Sequence, residues 1–161
     1  WLFATASASV LLALAFIDAE WLNLPDILSV TLAIISITYA VAIMVFDIAN
    51  PYAMTLHGML WGALVVAAPL FLIWYVTAGR DLGFGDVKLG LVLGLLGGAS
   101  GGLLILYVAC IAGALYGLIL MVFGRATRAT KLPFGTFLCG AATVYLLYGP
   151  TIIEYVYRLL R

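Results

Sequence analysis

A carboxylate that follows two closely spaced glycines is the residue in this sequence best suited to do chemistry. Residues 83–86 read Gly-Phe-Gly-Asp, and the apolar stretch 87–96 begins directly after Asp86. An ionisable side chain at a membrane segment is costly to keep there, so it marks a candidate functional site. Because glycine allows sharp turns and close approach of another chain, we expect Gly83 and Gly85 to shape a turn beside Asp86. Such a site favours chemistry on a peptide if a second carboxylate lies nearby.

Asp18 is the candidate second carboxylate, since it ends the first apolar stretch of the chain. Two carboxylates that share a site of low polarity cannot both ionise easily, so one keeps a proton while the other acts as a base. The base would activate a water molecule and the acid would protonate the scissile carbonyl, as in aspartic proteases. The alternative for Asp86 alone is a structural role as a helix cap or as a partner of the helix dipole.

The composition indicates that these carboxylates belong to an integral membrane protein. Of the 161 residues, 66% are hydrophobic and 9% are charged, whereas a soluble domain is about 45–50% apolar and about 25% charged. We therefore expect an all-α, polytopic membrane helix bundle in contact with the lipid bilayer. Seven basic residues balance seven acidic ones, so no nucleic-acid partner is expected, and no metal-ligand cluster is visible in the sequence.

Apolar stretches separated by polar segments predict about six transmembrane helices in a single domain, residues 1–161. A spanning helix needs about 20 apolar residues, and the stretch 87–123 is too long for one span, so we divide it at the glycine-rich segment 97–102. Because residue 1 is a Trp that already lies in an apolar run, we expect an upstream N-terminal part to be missing. The predicted spans are 1–17, 27–46, 55–76, 87–96, 103–123 and 134–148.

The basic residues predict which loops face the cytoplasm. The loops after the second and fourth spans contain no Lys or Arg. By the positive-inside rule, the end of the bundle that carries Asp18 and Asp86 is therefore cytoplasmic and Trp1 lies outside. Arg158 and Arg161 in the tail do not fit this topology. The loops after the third and fifth spans carry Arg80, Lys88, Arg125, Arg128 and Lys131.

Three segments of the sequence resemble the type IV prepilin peptidases, which are membrane aspartic proteases of the GxGD class. The family's first motif is an Asp that ends a helix and is followed by Leu-Pro-Asp. Asp18, followed by residues 24–26 with Pro25 and Asp26, resembles this motif. Residues 131–137 resemble the Pro-Phe-Gly segment before the family's last helix. The second motif, Gly-x-Gly-Asp-x-Lys-Leu, is matched in full by Gly83, Gly85, Asp86, Lys88 and Leu89.

The resemblance implies an activity, a substrate and a location. Asp18 and Asp86 would form the catalytic dyad of an endopeptidase that removes the leader peptide of type IV prepilins or pseudopilins. Cleavage would occur at the cytoplasmic face of the bacterial inner membrane and would need no cofactor. Many bacterial members also methylate the new N-terminus with S-adenosylmethionine and carry an upstream domain with paired cysteines, which this sequence lacks. S-adenosylmethionine is therefore expected only if this chain also has methyltransferase activity.

Two further charged residues have alternative roles, and two other functions remain open. Lys88 would either tune the pKa of the dyad or anchor the helix to lipid headgroups. Asp26 would either cap the second helix or contact the substrate. The chain could instead be a small transporter or channel subunit that uses Asp18 and Asp86 as a proton or cation relay. A structural assembly subunit, with its glycines serving helix packing, is a third interpretation.

Overall fold

The computed structural model describes residues 2–21, 24–46, 55–124 and 132–159, and within these ranges the chain is all-helical. This confirms the predicted all-α class. The described residues form the helices α1 (Leu2–Trp21), α2 (Asp26–Phe46), α3 (Leu56–Val76), α4 (Phe84–Val122) and α5 (Phe134–Leu159). Of these, α1 to α4 are long and apolar enough to cross a membrane, and residues 134–149 of α5 form a shorter apolar helix.

Large apolar side chains are exposed on the outer surface of these helices, as expected for a protein in a bilayer. Leu12, Ile34, Leu64 and Leu118 are examples from four different helices, each more than half exposed. A soluble protein rarely exposes contiguous apolar surface on this scale, because water penalises it. Together with the hydrophobic composition, this surface shows a helical membrane bundle.

Gly98 divides α4 into two arms, residues 84–97 and residues 99–122. Its φ of 65° and ψ of −168° interrupt the helix and lie in a region that is essentially restricted to glycine. A Cβ built on Gly102 would lie 3.1 Å from the Cα of Gly94, whereas residues eight apart in a straight helix are about 12 Å apart along the axis. The chain therefore folds back on itself at Gly98. The predicted division near 97–102 is confirmed, although the bend is sharper than a loop of that length.

The two aspartates lie within helices rather than at their predicted edges. Helix α1 continues through Asp18 to Trp21, because no residue that breaks a helix occurs before Pro25. Helix α4 begins at Phe84, so Asp86 is its third residue. Both carboxylates are consequently held on regular backbone, which limits the directions in which they can point.

Helix α2 begins one residue earlier than predicted, and this changes the role of Asp26. The carbonyl of Pro25 accepts hydrogen bonds from the N–H groups of Leu28 and Ser29. A residue whose carbonyl accepts the first helical bond occupies the N-cap position. Pro25 is therefore the cap residue and Asp26 is the first residue inside the helix, so the predicted capping role of Asp26 is wrong.

Helix α4 is the central element of the bundle. It contacts α2, α3 and α5, while α1 packs against α2 and α5. The closest approach is between α3 and the first arm of α4, where a Cβ on either Gly62 or Gly94 would overlap the backbone of the other helix. Small residues at such crossings let membrane helices pack backbone to backbone. This packing brings the start of α4 beside the end of α1 and the start of α5.

Several residues used in the sequence predictions lie outside the described residues. Among them are the loop 47–54 and most of the basic loop after α4. The basic residues concerned are Arg125, Arg128, Lys131 and Arg161.

Candidate active site

The ends of three helices bring the two predicted carboxylates into one cavity. Asp18 near the end of α1 and Asp86 at the start of α4 line a cavity of about 120 Å³, together with residues 79–83 and 132–134. Asp18 is 4% exposed and Asp86 is 9% exposed. Buried carboxylates are costly unless other groups pair with them or function requires them. The polar surroundings of each carboxylate are therefore informative.

Asp18 is held by the first turn of α5. Its Oδ2 accepts a hydrogen bond of 2.7 Å from the backbone N–H of Thr136 and one of 3.2 Å from the Thr136 hydroxyl. That hydroxyl also lies 3.2 Å from the carbonyl oxygen of Ala15. The first N–H groups of a helix have no partner within the helix and favour a negative charge. The start of α5 therefore both satisfies and orients the Asp18 carboxylate.

Asp86 interacts with backbone N–H groups from two helix starts. The backbone amides of Gly83 and Gly135 donate hydrogen bonds toward its carboxylate. The Asp18 carboxylate lies close enough for direct electrostatic repulsion. As third residue of α4 with Gly83 as the N-cap, Asp86 reaches back in the manner of a capping box. The helix-capping role considered for Asp86 is therefore present. The Oδ1 atom of Asp86 nevertheless has no hydrogen-bond partner among the described residues, which is rare for a buried polar atom.

Gly135 and Thr136 were missed as site residues by the sequence reasoning. A Cβ on Gly135 would lie 2.9 Å from Oδ2 of Asp18 and 3.0 Å from Cδ1 of Leu24, so only glycine fits without displacing a neighbour. The available signal was the position of Pro133, because a proline that precedes an apolar run marks a helix start. That start was predicted, but its contact with the carboxylates was not.

The glycines of the 83–86 motif lie at the first turn of α4, where the Asp86 N–H donates a 3.1 Å hydrogen bond to the Gly83 carbonyl. Gly83 has φ −72° and ψ 146°, which any residue can adopt. The positive φ angles lie earlier, at Ala78 with 50° and Gly79 with 73°. Gly85 lies inside the first turn of α4, and a Cβ there would come within 3.2 Å of Cβ of Leu24. Gly85 is therefore needed because Leu24 packs against it, a contact that the sequence did not predict.

Lys88 and Asp26 form an ion pair that connects the two aspartate motifs. The Lys88 ammonium lies 2.8 Å from both Oδ1 and Oδ2 of Asp26, 62 positions earlier in the sequence. It also lies 5.5 Å from the centroid of the Phe84 ring. The ammonium is thus directed at a carboxylate of α2, a contact that the sequence did not predict. The pair joins the start of α2 to the start of α4.

This arrangement has the components of acid–base hydrolysis. Two buried carboxylates line a cavity large enough to hold water, and backbone N–H groups hold the carboxylates in place. Within the described ranges, no group of three His, Cys, Asp or Glu side chains is clustered to hold a metal ion.

Sequence comparison decides the family. The Type IV leader peptidase family matches residues 5–118 of the chain, which is most of its length. This chain belongs to the Type IV leader peptidase family. The resemblance inferred from the three motifs is thereby confirmed, and the matched region contains Asp18, Asp26, Asp86 and Lys88.

Relatives named prepilin leader peptidase/N-methyltransferase match most of the chain. The Pseudomonas aeruginosa protein is 31% identical over 148 residues, 88% of this chain and 48% of the relative. The Legionella pneumophila protein is 31% identical over 159 residues, 96% of this chain and 52% of the relative. The Dichelobacter nodosus protein is 34% identical over 151 residues, which are 93% of this chain and 50% of the relative. The chain thus spans about half the length of these relatives, and no solved structure matches it significantly.

The start of α5 lies beyond the part of the chain that the family match covers. That match ends at residue 118, whereas Gly135 and Thr136 contact the carboxylates from the next helix. The Legionella pneumophila relative nevertheless aligns with 96% of this chain, so its similarity is not confined to the residues of the family match.

Proposed function

We propose that residues 1–161 form a single transmembrane catalytic domain that removes the leader peptide of type IV prepilins or pseudopilins. The enzyme would be an aspartic endopeptidase with Asp18 and Asp86 as its dyad. The observation that carries this proposal is that two buried carboxylates line one cavity in a member of the Type IV leader peptidase family. The names of the relatives support the substrate class.

In this mechanism, one aspartate begins ionised and the other begins protonated. The ionised aspartate takes a proton from water, the water oxygen attacks the scissile carbonyl carbon, and the protonated aspartate donates to the carbonyl oxygen. The resulting diol collapses with cleavage of the C–N bond. During collapse, the first aspartate returns its proton to the leaving amine and the second takes a proton from a diol hydroxyl. The pair ends with one proton, as it began.

The helix starts around the dyad would keep the two carboxylates in place during this cycle. The N–H and hydroxyl of Thr136 restrain Asp18, and the Gly83 and Gly135 amides restrain Asp86. Fixed dipoles of this kind need no reorganisation when charge moves between the two carboxylates. Rigid placement also favours a productive approach of water to one face of the carbonyl carbon.

We further propose that the chain lies in the bacterial inner membrane with the dyad at the cytoplasmic side. Six helical segments would be embedded: α1, α2, α3, the two arms of α4, and α5. Arg80 and Lys88 lie at the dyad end of the bundle, in agreement with the positive-inside rule.

The first arm of α4 is short for a membrane span, which has a consequence for Gly98. Residues 84–97 cover about 21 Å at about 1.5 Å per residue, less than the hydrocarbon core of about 30 Å. With Asp86 near the interface, the bend at Gly98 lies within the membrane. Irregular backbone is tolerated there only when protein covers it. Gly98 is buried, and the Tyr145 hydroxyl donates a 3.3 Å hydrogen bond to the Gly97 carbonyl beside it.

Proteolysis by this dyad requires no cofactor. The relatives are also named N-methyltransferase, but this chain spans about half their length. We assign only the peptidase step to the chain, and S-adenosylmethionine belongs to the methyl-transfer step if that activity is present.

The deciding experiment measures leader removal by purified protein in lipid nanodiscs, with a prepilin as substrate. Asp18→Asn and Asp86→Asn should each abolish the shorter product while leaving membrane insertion intact. Glu20→Gln is the matched control, because Glu20 is an exposed acid near Asp18 whose carboxylate bonds only the neighbouring Trp21 among its described contacts. Full cleavage by either Asn variant would refute the dyad. Proton flux into liposomes, lost in both Asn variants and without any cleavage, would support the relay instead.

A further inference from the structure

Leu24 occupies an unusual position between two helix starts. It belongs to the segment Leu24-Pro25-Asp26 at the start of α2, here called the Leu24 corner, and its side chain is buried. Its Cβ lies 3.2 Å from the place where Gly85 would carry a Cβ, and its Cδ1 lies 3.0 Å from the corresponding place on Gly135. A single leucine therefore contacts the first turns of both α4 and α5.

These two glycines are the direct neighbours of groups that act on the carboxylates. Gly85 immediately precedes Asp86, and Gly135 immediately precedes Thr136, which donates two hydrogen bonds to Asp18. The position of Leu24 consequently affects the spacing between the helix start that carries Asp86 and the helix start that orients Asp18. Interiors are packed densely enough that a change in one such contact shifts its neighbours.

The ion pair between Asp26 and Lys88 holds this corner against α4. Asp26 lies two residues after Leu24, and Lys88 lies two residues after Asp86. The Lys88 side chain is 43% exposed and that of Asp26 is 67% exposed, so the pair contributes little to the stability of the fold. Its bidentate geometry restricts the relative position of the two segments.

We infer that the Leu24 corner positions the dyad: Leu24 sets the spacing of Asp18 and Asp86, and the Asp26–Lys88 ion pair keeps Leu24 in place. Leu24, Asp26 and Lys88 are positioning residues, since the dyad rather than these side chains would touch the reacting atoms. The inference rests on the proposed function, because its kinetic consequence is a change in the rate of leader cleavage. It also has a structural consequence, the separation of residues 18 and 86, which does not depend on activity.

Exchange of the two charges tests the ion pair. Asp26→Lys and Lys88→Asp each place like charges side by side, and each should lower kcat at least tenfold with KM nearly unchanged. The double variant D26K/K88D restores an attractive pair and should recover most of kcat. Glu20→Lys makes the same charge change at an exposed acid outside the ion pair and should retain the wild-type rate. Wild-type kcat in both single variants, or no recovery in the double variant, would overturn the inference.

A distance measurement separates this inference from the proposed function. With Cys110 and Cys139 replaced by alanine, cysteines at positions 18 and 86 report their proximity through disulfide formation under mild oxidation. Cross-linking should fall in the Asp26→Lys background and return in the D26K/K88D background. If the wild type cleaves no prepilin but the cross-linking follows this pattern, the proposed function fails and the positioning role stands. Unchanged cross-linking in all backgrounds refutes the positioning role.

Leu24 itself is tested by its size. Leu24→Ala keeps the Cβ beside Gly85 but removes the Cδ1 that packs against Gly135, so it should lower kcat about tenfold, whereas Leu24→Met conserves the volume and should retain most of it. Leu32→Ala is the matched control, because Leu32 is fully buried in α2 and is not among the nearest contacts of Gly85 or Gly135. Equal losses of kcat in Leu24→Ala and Leu32→Ala would show a general packing effect and would contradict the inference.

Discussion

Addition of one methyl group at Gly135 is expected to slow cleavage without preventing folding. In Gly135→Ala, the new Cβ would lie 2.9 Å from Oδ2 and 3.0 Å from Cγ of Asp18. Relief of this contact requires the carboxylate or the start of α5 to move by a few tenths of an ångström. The same movement lengthens the 2.7 Å bond from the Thr136 N–H to Asp18.

The expected loss of rate follows from the size of this displacement. A misplacement of about 1 Å at a catalytic group can cost about 100-fold in rate. A shift of a few tenths of an ångström should therefore lower kcat about tenfold, which corresponds to about 1.4 kcal/mol of transition-state stabilisation. KM should change little, because the methyl group meets Asp18 and Leu24 rather than an extended substrate-binding surface. Initial rates over a range of prepilin concentrations separate the two constants.

Gly140→Ala provides the matched control on the same helix. A Cβ at Gly140 would meet nothing within 4 Å, and alanine is the better helix former. Gly140→Ala should therefore keep the wild-type kcat and be at least as stable. Wild-type kcat in Gly135→Ala would refute the argument that Gly135 is needed for the placement of Asp18. Equal losses in both variants would refute it as well, since the effect would then belong to the helix in general.

Three further positions, Thr136, Gly94 and Gly98, have defined outcomes on substitution. Thr136→Val removes the hydroxyl donor of Asp18 and keeps the N–H, so kcat should fall about threefold to tenfold, which corresponds to the roughly 0.6–1.4 kcal/mol of one typical hydrogen bond. Thr136→Ser should keep the rate. Thr143→Val should keep it as well, because among the described residues the Thr143 hydroxyl bonds only the Cys139 carbonyl. Gly94→Ala forces apart the backbones of α3 and α4 and should cost about 1–3 kcal/mol of stability, seen as a lower Tm in nanodiscs. Gly98→Ala places a side chain at φ 65° and ψ −168° and should destabilise the protein by about 1–3 kcal/mol. An unchanged Tm in Gly94→Ala would contradict the close packing of α3 and α4, and an unchanged Tm in Gly98→Ala would contradict the bend in α4.

The sequence was most informative where a physical constraint acts on a residue by itself. An ionisable group in an apolar stretch is costly wherever it lies, so Asp18 and Asp86 could be selected without a structure. The division of the long apolar stretch near Gly98 was predicted from its length and its glycines, and the bend lies there. Family membership likewise followed from short motifs and was confirmed.

Predictions failed where a residue's role depends on a neighbour distant in the sequence. The contact of Gly85 with Leu24 was not predicted, although Gly85 was expected to shape the turn beside Asp86. Asp26 was expected to cap its helix or to contact the substrate, but it follows the cap residue Pro25 and pairs with Lys88, 62 positions away. Local propensities contain no information about which helices pack together, and the packing decided both roles.

The sequence by itself thus determined that this is an all-helical membrane protein of the Type IV leader peptidase family and which two carboxylates to examine. The membrane class and the choice of carboxylates follow from composition, from the length of apolar stretches and from the cost of a buried charge, and family membership follows from the resemblance of short motifs; all of these are local. Only the tertiary structure decided that the start of α5 orients Asp18 and that Leu24 lies between Gly85 and Gly135. Those contacts exist because the ends of α1, α4 and α5 meet at one cavity with the start of α2 packed beside them, and the relative placement of helix ends is a result of packing between distant segments.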